Sequence, residues 1–200
     1  MEEALEAIQA VIINAVWAAD IEMHFNSFPA YLGSDGNRLD KGIARFCQQA
    51  ALLWTASLFD KNEEGTSLKY FLDLANENSA LFTKATKEEI KASVAIDCEW
   101  IDKNKSEVAE LKEFRNKHIA HLDKSSVKEH SGGEIAGVTD ILGPNVVEKS
   151  AKLLEKVIRI IDFYTHGYDG KAFDLDFMRG QIKVNCTEYI QFRRNQNGPV

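Results

Sequence analysis

Proline is scarce in this 200-residue chain, at 3 residues, and glycine stands at only 12. Collagen-like, mucin-like and linker-like classes need those residues in quantity and are excluded. Cysteine is equally sparse. Cys47, Cys98 and Cys186 are far apart and odd in number, which suits neither a disulfide framework nor a close metal-binding pair, so reduced and mostly buried thiols are expected. Long apolar runs are missing too. The longest, Ala10 to Ile21, contains Asn14 and Asp20 and meets Glu22, short of the roughly 20 apolar residues that a spanning helix requires, so no membrane association is expected. A basic excess is also lacking. The net charge of −7 argues against a generic nucleic-acid coat, though not against a local anion site.

What the chain does contain is a core. Hydrophobic residues make up 44%, with 11 Phe, 5 Tyr and 3 Trp, enough for an ordered globular domain. The length suits one domain, read as a helical domain over residues 1–170 followed by a tail or small appendage over 171–200. The start, Met1-Glu2-Glu3, is acidic where a secretory signal would be basic, which makes the cytoplasm the expected location. Charge is uneven along the chain. Residues 1–100 hold 8 basic and 16 acidic side chains (net −8), and residues 101–200 hold 16 and 15 (net +1), so an anion-binding surface is expected in the second half.

Hydrophobic periodicity is helical throughout and predicts an all-α bundle of about five to six helices. Leu5, Ile8, Ile12, Val16 and Ala19, with Val11, Ala15 and Ala18 beside them, stripe a helix from Glu2 to about Phe28, ended by Pro29 and the Gly33-Ser34-Asp35-Gly36 cluster. A second helix, about Leu39 to Asp60, carries Ile43, Phe46, Cys47, Ala50, Leu53, Trp54 and Leu58 on its apolar face. Ser67 caps a short helix to about Ala75. Thr86 and Glu89 have the spacing of a capping box and open a helix to about Asp102 with Ile90, Val94 and Asp97/Cys98 on one side. Asn104 or Ser106 starts the next, to about Leu122, and a Ser- and Gly-rich loop covers roughly 123–143. Pro144 then opens a helix with two apolar rows, one through Val147, Ala151, Leu154, Ile158 and Ile161, the other through Leu153, Val157, Ile160 and Tyr164. The tail from Gly170 reads as a small strand, a short helix or a mobile end.

One helix breaks its own pattern. On a seven-residue register Val108, Arg115 and Leu122 share one seam position and Leu111 and His118 the other, with Phe114, Ile119 and His121 flanking. Arg115 and His118 stand where apolar residues are called for. An unpaired guanidinium in a dry core costs several kcal/mol, so this face is paired with an acid such as Asp97 or Glu99, wet, or turned towards an anionic ligand. Arg115, His118 and His121 follow at three-residue steps and can line one cleft. No metal set forms around them. The Asp60-Asn62-Glu64-Gly65 opening of a calcium-like loop fails because Phe71 stands where a bidentate Glu is required, and no cofactor fingerprint occurs.

The string Leu111-Lys112-Glu113-Phe114-Arg115-Asn116-Lys117-His118-Ile119-Ala120-His121-Leu122-Asp123 resembles the signature of HEPN domains, an Arg followed by a polar residue and then a His, here with five residues between Arg115 and His121. Upstream, Leu53-Trp54-Thr55-Ala56-Ser57-Leu58-Phe59-Asp60-Lys61-Asn62 and Ser67-Leu68-Lys69-Tyr70-Phe71-Leu72 resemble the other recurring stretch of the AbiU-type abortive-infection branch. On the residues alone, Phe59-Asp60 reads as a helix terminus. A second Arg-to-His match, Arg159 to His166, lies among Ile158, Ile161 and Phe163 and reads as core helix with a charged rim.

The resemblance implies a HEPN bundle that forms a homodimer with the motif helices facing each other. It also implies metal-independent cleavage of RNA, tRNA included, in phage defence or toxin–antitoxin action, with an antitoxin or other defence protein as partner. In that setting His121 serves as base or acid, Arg115 as phosphate clamp, Asn116 as orienting group and His118 as supporting donor. One departure stands out: toxin members neutralised by a nucleotidyltransferase carry a Tyr two residues after the motif His, where this chain has Asp123. A non-catalytic HEPN-like module binding RNA, a nucleotide or a partner protein fits the same residues. Arg115 buried against an acid favours that module, and Arg115 turned with His121 towards an open cleft favours the enzyme.

Overall fold

A computed structural model describes residues 1–26, 34–61, 66–116 and 144–196. Among these the chain is all-α: α1 (Glu2–Asn26), α2 (Ser34–Ser57), α3 (Leu68–Glu77), a 3-10 turn (Ser79–Leu81), α4 (Lys87–Lys103), α5 (Lys105–Phe114), α6 (Pro144–Asp169) and α7 (Asp176–Gln196). The first six helices occur where the periodicity predicts them, except that α2 starts at Ser34, inside the cluster read as a break and ahead of the expected Leu39, and α7 takes the helical alternative for the tail. It lies along α1, with Leu175, Ile182 and Cys186 buried, Arg179 Nε 3.3 Å from Asp20 and Tyr189 against Phe25. The weak alternation at Ile182 and Val184 is therefore one buried and one exposed face of a helix.

Local chemistry sets the helix starts. The Ser67 hydroxyl accepts from the Tyr70 amide at 3.2 Å. Thr86 accepts from the Glu89 amide while the Glu89 carboxylate accepts from the Thr86 amide at 2.7 Å, so two orphan donors of α4 are satisfied reciprocally. α6 stops at Gly170, whose φ of 79° is a left-handed conformation that side chains resist.

One connected core runs through α1 to α6. In α1 the residues Leu5, Ile8, Val11, Ile12, Ala15, Val16 and Ala18 are buried as the stripe predicts. α1 as a whole is long and apolar enough by length and composition to cross a bilayer, which counting the run Ala10–Ile21 alone misses. Its striped residues are core here, packed most extensively against α2, while Trp17 and Met23 are exposed.

α2 turns differently from its predicted face. It buries Ala44, Gln48, Leu52, Thr55 and Ala56, while Phe46 is 71% and Trp54 37% exposed. The small side chains let α2 lie close on α1, which the larger ones would prevent. In α6 the row Leu153, Val157, Ile160 and Tyr164 is buried, as are Leu154 and Ile161 of the other row, whose Ala151 is exposed. Tyr164 sits at the centre, edge-on to Phe71 and Phe82, and its hydroxyl donates to Asp97 at 3.1 Å. Burial raises the Asp97 carboxyl above the usual range, opposed by that hydrogen bond and by Lys156.

Candidate functional site

Arg115 follows the last turn of α5, its amide donating back to Leu111 and Lys112. The helix buries Leu111 and Phe114. Phe114, expected on the flank, thus occupies the core, and Arg115, expected on the seam, stands at the rim with its side chain 19% exposed. Its partner is neither Asp97, held by Tyr164 and 3.7 Å from Lys156, nor Glu99, paired with Lys103. Asp60 fills that role: Arg115 Nη1 donates to Asp60 Oδ2 at 2.5 Å, and Arg115 Nε donates to Asn116 Oδ1 at 3.2 Å.

Asp60 is placed by the turn that closes α2, where the Phe59 amide donates to Ala56 and the Asp60 amide to Ser57, both at 3.1 Å. Phe59-Asp60 therefore terminates the helix, as read from the residues, and also carries the carboxylate that meets Arg115. One turn before Arg115, Lys112 lies 3.7 Å from Asp60 Oδ1 and donates to the Phe59 carbonyl. Burial pushes the Lys112 ammonium below its ordinary pKa, Asp60 opposes that shift, and Arg115 and Lys61 add to it. One carboxylate thus holds two cations, and the cluster keeps a net positive charge in an acidic chain.

Asp60 and Lys112 also line a cavity of about 410 Å³ between α3, the end of α4 and α5. Phe59, Tyr70, Ile101 and Val108 supply its apolar wall, and Lys61, Lys69 and Lys105 add to its charge. Lys69 pairs with Asp73 at 2.6 Å and Lys105 with Asp102 at 2.9 Å.

The structure therefore brings Arg115 and Asn116 together with two residues that the sequence reading did not assign to the site, Asp60 and Lys112. Lys112 had a signal, its three-residue step from Arg115, and Asp60 had one in the upstream stretch that carries it. His118, His121 and Asp123 lie outside the described residues. The second Arg-to-His match is surface: Arg159 pairs with Glu155 at 2.5 Å and His166 is exposed.

Among the described residues the chain is an all-α bundle in which Arg115, after the last turn of α5, is tied to the turn that ends α2. The HEPN_AbiU2 family model, described as AbiU2, matches residues 42–185, from within α2 to within α7. The chain belongs to that family, an abortive-infection-related group of HEPN domains. No curated protein and no solved structure matches it.

Proposed function

We propose that this protein is a metal-independent endoribonuclease of the HEPN type, acting as a homodimer on cytoplasmic RNA, tRNA included, in phage defence or toxin–antitoxin action. What supports the reading is the AbiU2 family match over residues 42–185 together with a second cation, Lys112, beside Arg115 at the edge of the cavity. Asp60 fixes the guanidinium in place before substrate arrives, which removes an ordering cost from the reaction, and Lys112 keeps the cluster cationic. His121, as a neutral imidazole, takes the proton of an RNA 2′-hydroxyl. The 2′-oxygen bonds to the adjacent phosphorus and the bond to the 5′-oxygen breaks. An imidazolium from the second copy returns a proton to that leaving oxygen, giving a 2′,3′-cyclic phosphate and a 5′-hydroxyl. Arg115 stabilises the added charge on the phosphorane, Asn116 orients it, and His118 is a supporting donor.

The second reading, a non-catalytic module that binds RNA, a nucleotide or a defence partner such as an antitoxin, is favoured by the same short Arg115-Asp60 pair, since a guanidinium engaged by a carboxylate is partly occupied. Purified protein incubated with total RNA separates the two. The enzyme cleaves, and Arg115→Lys, which keeps the charge but loses the fork, cleaves far more slowly while still forming dimers by light scattering. Intact RNA, bound but uncut, would make the protein the module.

A further inference from the structure

An amine and a thiol meet where α3 packs on α4. Lys69 Nζ donates to Cys98 Sγ at 3.7 Å, and the same ammonium pairs with Asp73 at 2.6 Å. Neither Lys69 nor Cys98 takes part in the Arg115 clamp. We propose that the two form a redox-sensitive strap, in which peroxide oxidises Cys98 and the Lys69 amine captures the oxidised sulfur, tying α3 to α4 through a nitrogen–sulfur bond. The Cys98 thiolate attacks peroxide, the O–O bond breaks, and sulfur gives up two electrons to become a sulfenic acid. The neutral Lys69 amine then attacks that sulfur. As the N–S bond forms the S–O bond breaks, and the departing hydroxide takes the amine's proton, so thiol, amine and peroxide become one sulfenamide and two waters. An external thiol reverses the bond by attacking the sulfur, which releases the amine.

Distance, access and charge each support the strap. The 3.7 Å separation is a few tenths of an ångström beyond the roughly 3–3.5 Å of a near-attack arrangement. The Lys69 side chain is 58% exposed and lines the cavity, so it is free to close that gap and peroxide can reach it. Burial raises the Cys98 thiol and Lys69 opposes that shift, so the amine that captures the sulfur is also the cation that favours its thiolate. Cys47 and Cys186 have carboxylates beside them instead: burial raises both thiols, with Glu22 adding to the shift of Cys47 and Asp20 to that of Cys186. Lys69 shares the cavity wall with Asp60 and Lys112. Closing the strap therefore removes one cation from that wall and fixes α3 against α4 beside the clamp, and the inference stands apart from the ribonuclease reading.

Hydrogen peroxide treatment of the full-length chain, digestion without reductant and peptide mapping by mass spectrometry test it. The peptides that carry Lys69 and Cys98 are expected joined, about 2 Da lighter than their sum, and separate again after dithiothreitol. The oxidised chain should also unfold at higher urea concentration, because the bond links residues 29 apart in sequence and so constrains the unfolded chain. That shift disappears with dithiothreitol. Lys69→Arg keeps a cation beside the sulfur but has no nucleophilic amine, so Cys98 gains oxygen in steps of about 16 Da without joining residue 69. Cys98→Ser gives neither product. A wild-type Cys98 that gains oxygen without joining Lys69, one that stays a thiol under peroxide, a crosslink that persists in Lys69→Arg, or lysines joined as readily to Cys47 and Cys186 would each overturn the proposal.

Discussion

Asp60→Asn keeps the shape of a side chain that holds two cations and removes its charge. The Arg115 contact is short, at 2.5 Å, with side chains 19% and 33% exposed, and Lys112 is 3.7 Å away at 26% exposure. These values lie between exposed pairs, worth about 0–1 kcal/mol, and fully buried ones, whose disruption costs about 3–5 kcal/mol, so a loss of about 1–3 kcal/mol is expected at pH 7. The pH dependence carries more information. The Lys112 pKa is depressed in the folded protein, so between that value and the unfolded value of about 10.4 the folded state holds fewer protons than the unfolded chain, and stability from this group rises with pH. Asp60 is what limits the depression. In the variant the window opens at lower pH, and the deficit against the wild type narrows as pH rises towards 10.4. Urea unfolding of wild type, Asp60→Asn, Lys112→Met and the double variant at pH 7 and about pH 9.5 measures this. A deficit that is absent, or that is pH-independent and unchanged in the Lys112→Met background, would refute the shared-carboxylate account.

The buried Asp97 gives a pH dependence of opposite sign. Its folded pKa is raised, so stability from this group increases as pH falls from that value towards about 3.9, and the wild type should gain on Asp97→Asn between pH 7 and pH 4; parallel unfolding curves would contradict the burial argument. Thr86→Ala removes one half of the capping box at α4 and should cost about 1 kcal/mol in chemical unfolding, with a loss near zero showing that the Glu89 half suffices alone.

Helix starts were legible wherever a side chain satisfies an amide locally. Ser67 and Thr86 act within three residues of themselves, and both caps form as their spacing predicts. The buried face of α2 was not legible, because hydrophobicity favours Phe46 and Trp54 whereas close packing on α1 selects Ala44, Gln48, Thr55 and Ala56; close approach of two helices is a property of the pair and leaves no periodic trace in one of them. The helix in the tail stood as one of three alternatives for a related reason, since the face it lays along α1 carries few apolar residues. At the site, Arg115 stood out because it interrupts an apolar seam. Its partner did not, since Asp60 is 55 residues away in sequence and only the turn after α2 brings it there. Arg115 does meet an acid, but the two acids that the sequence suggested, Asp97 and Glu99, are engaged with Tyr164 and Lys103.

The most direct test of ribonuclease action is the end chemistry of cleaved RNA in the presence of EDTA, comparing the wild type with His121→Ala, His118→Ala and Arg115→Lys. The account predicts 2′,3′-cyclic phosphate ends from the wild type, no cleavage from His121→Ala, strongly reduced cleavage from Arg115→Lys and a smaller loss from His118→Ala. Cleavage that stops in EDTA and returns with magnesium, or that persists in His121→Ala, would contradict it.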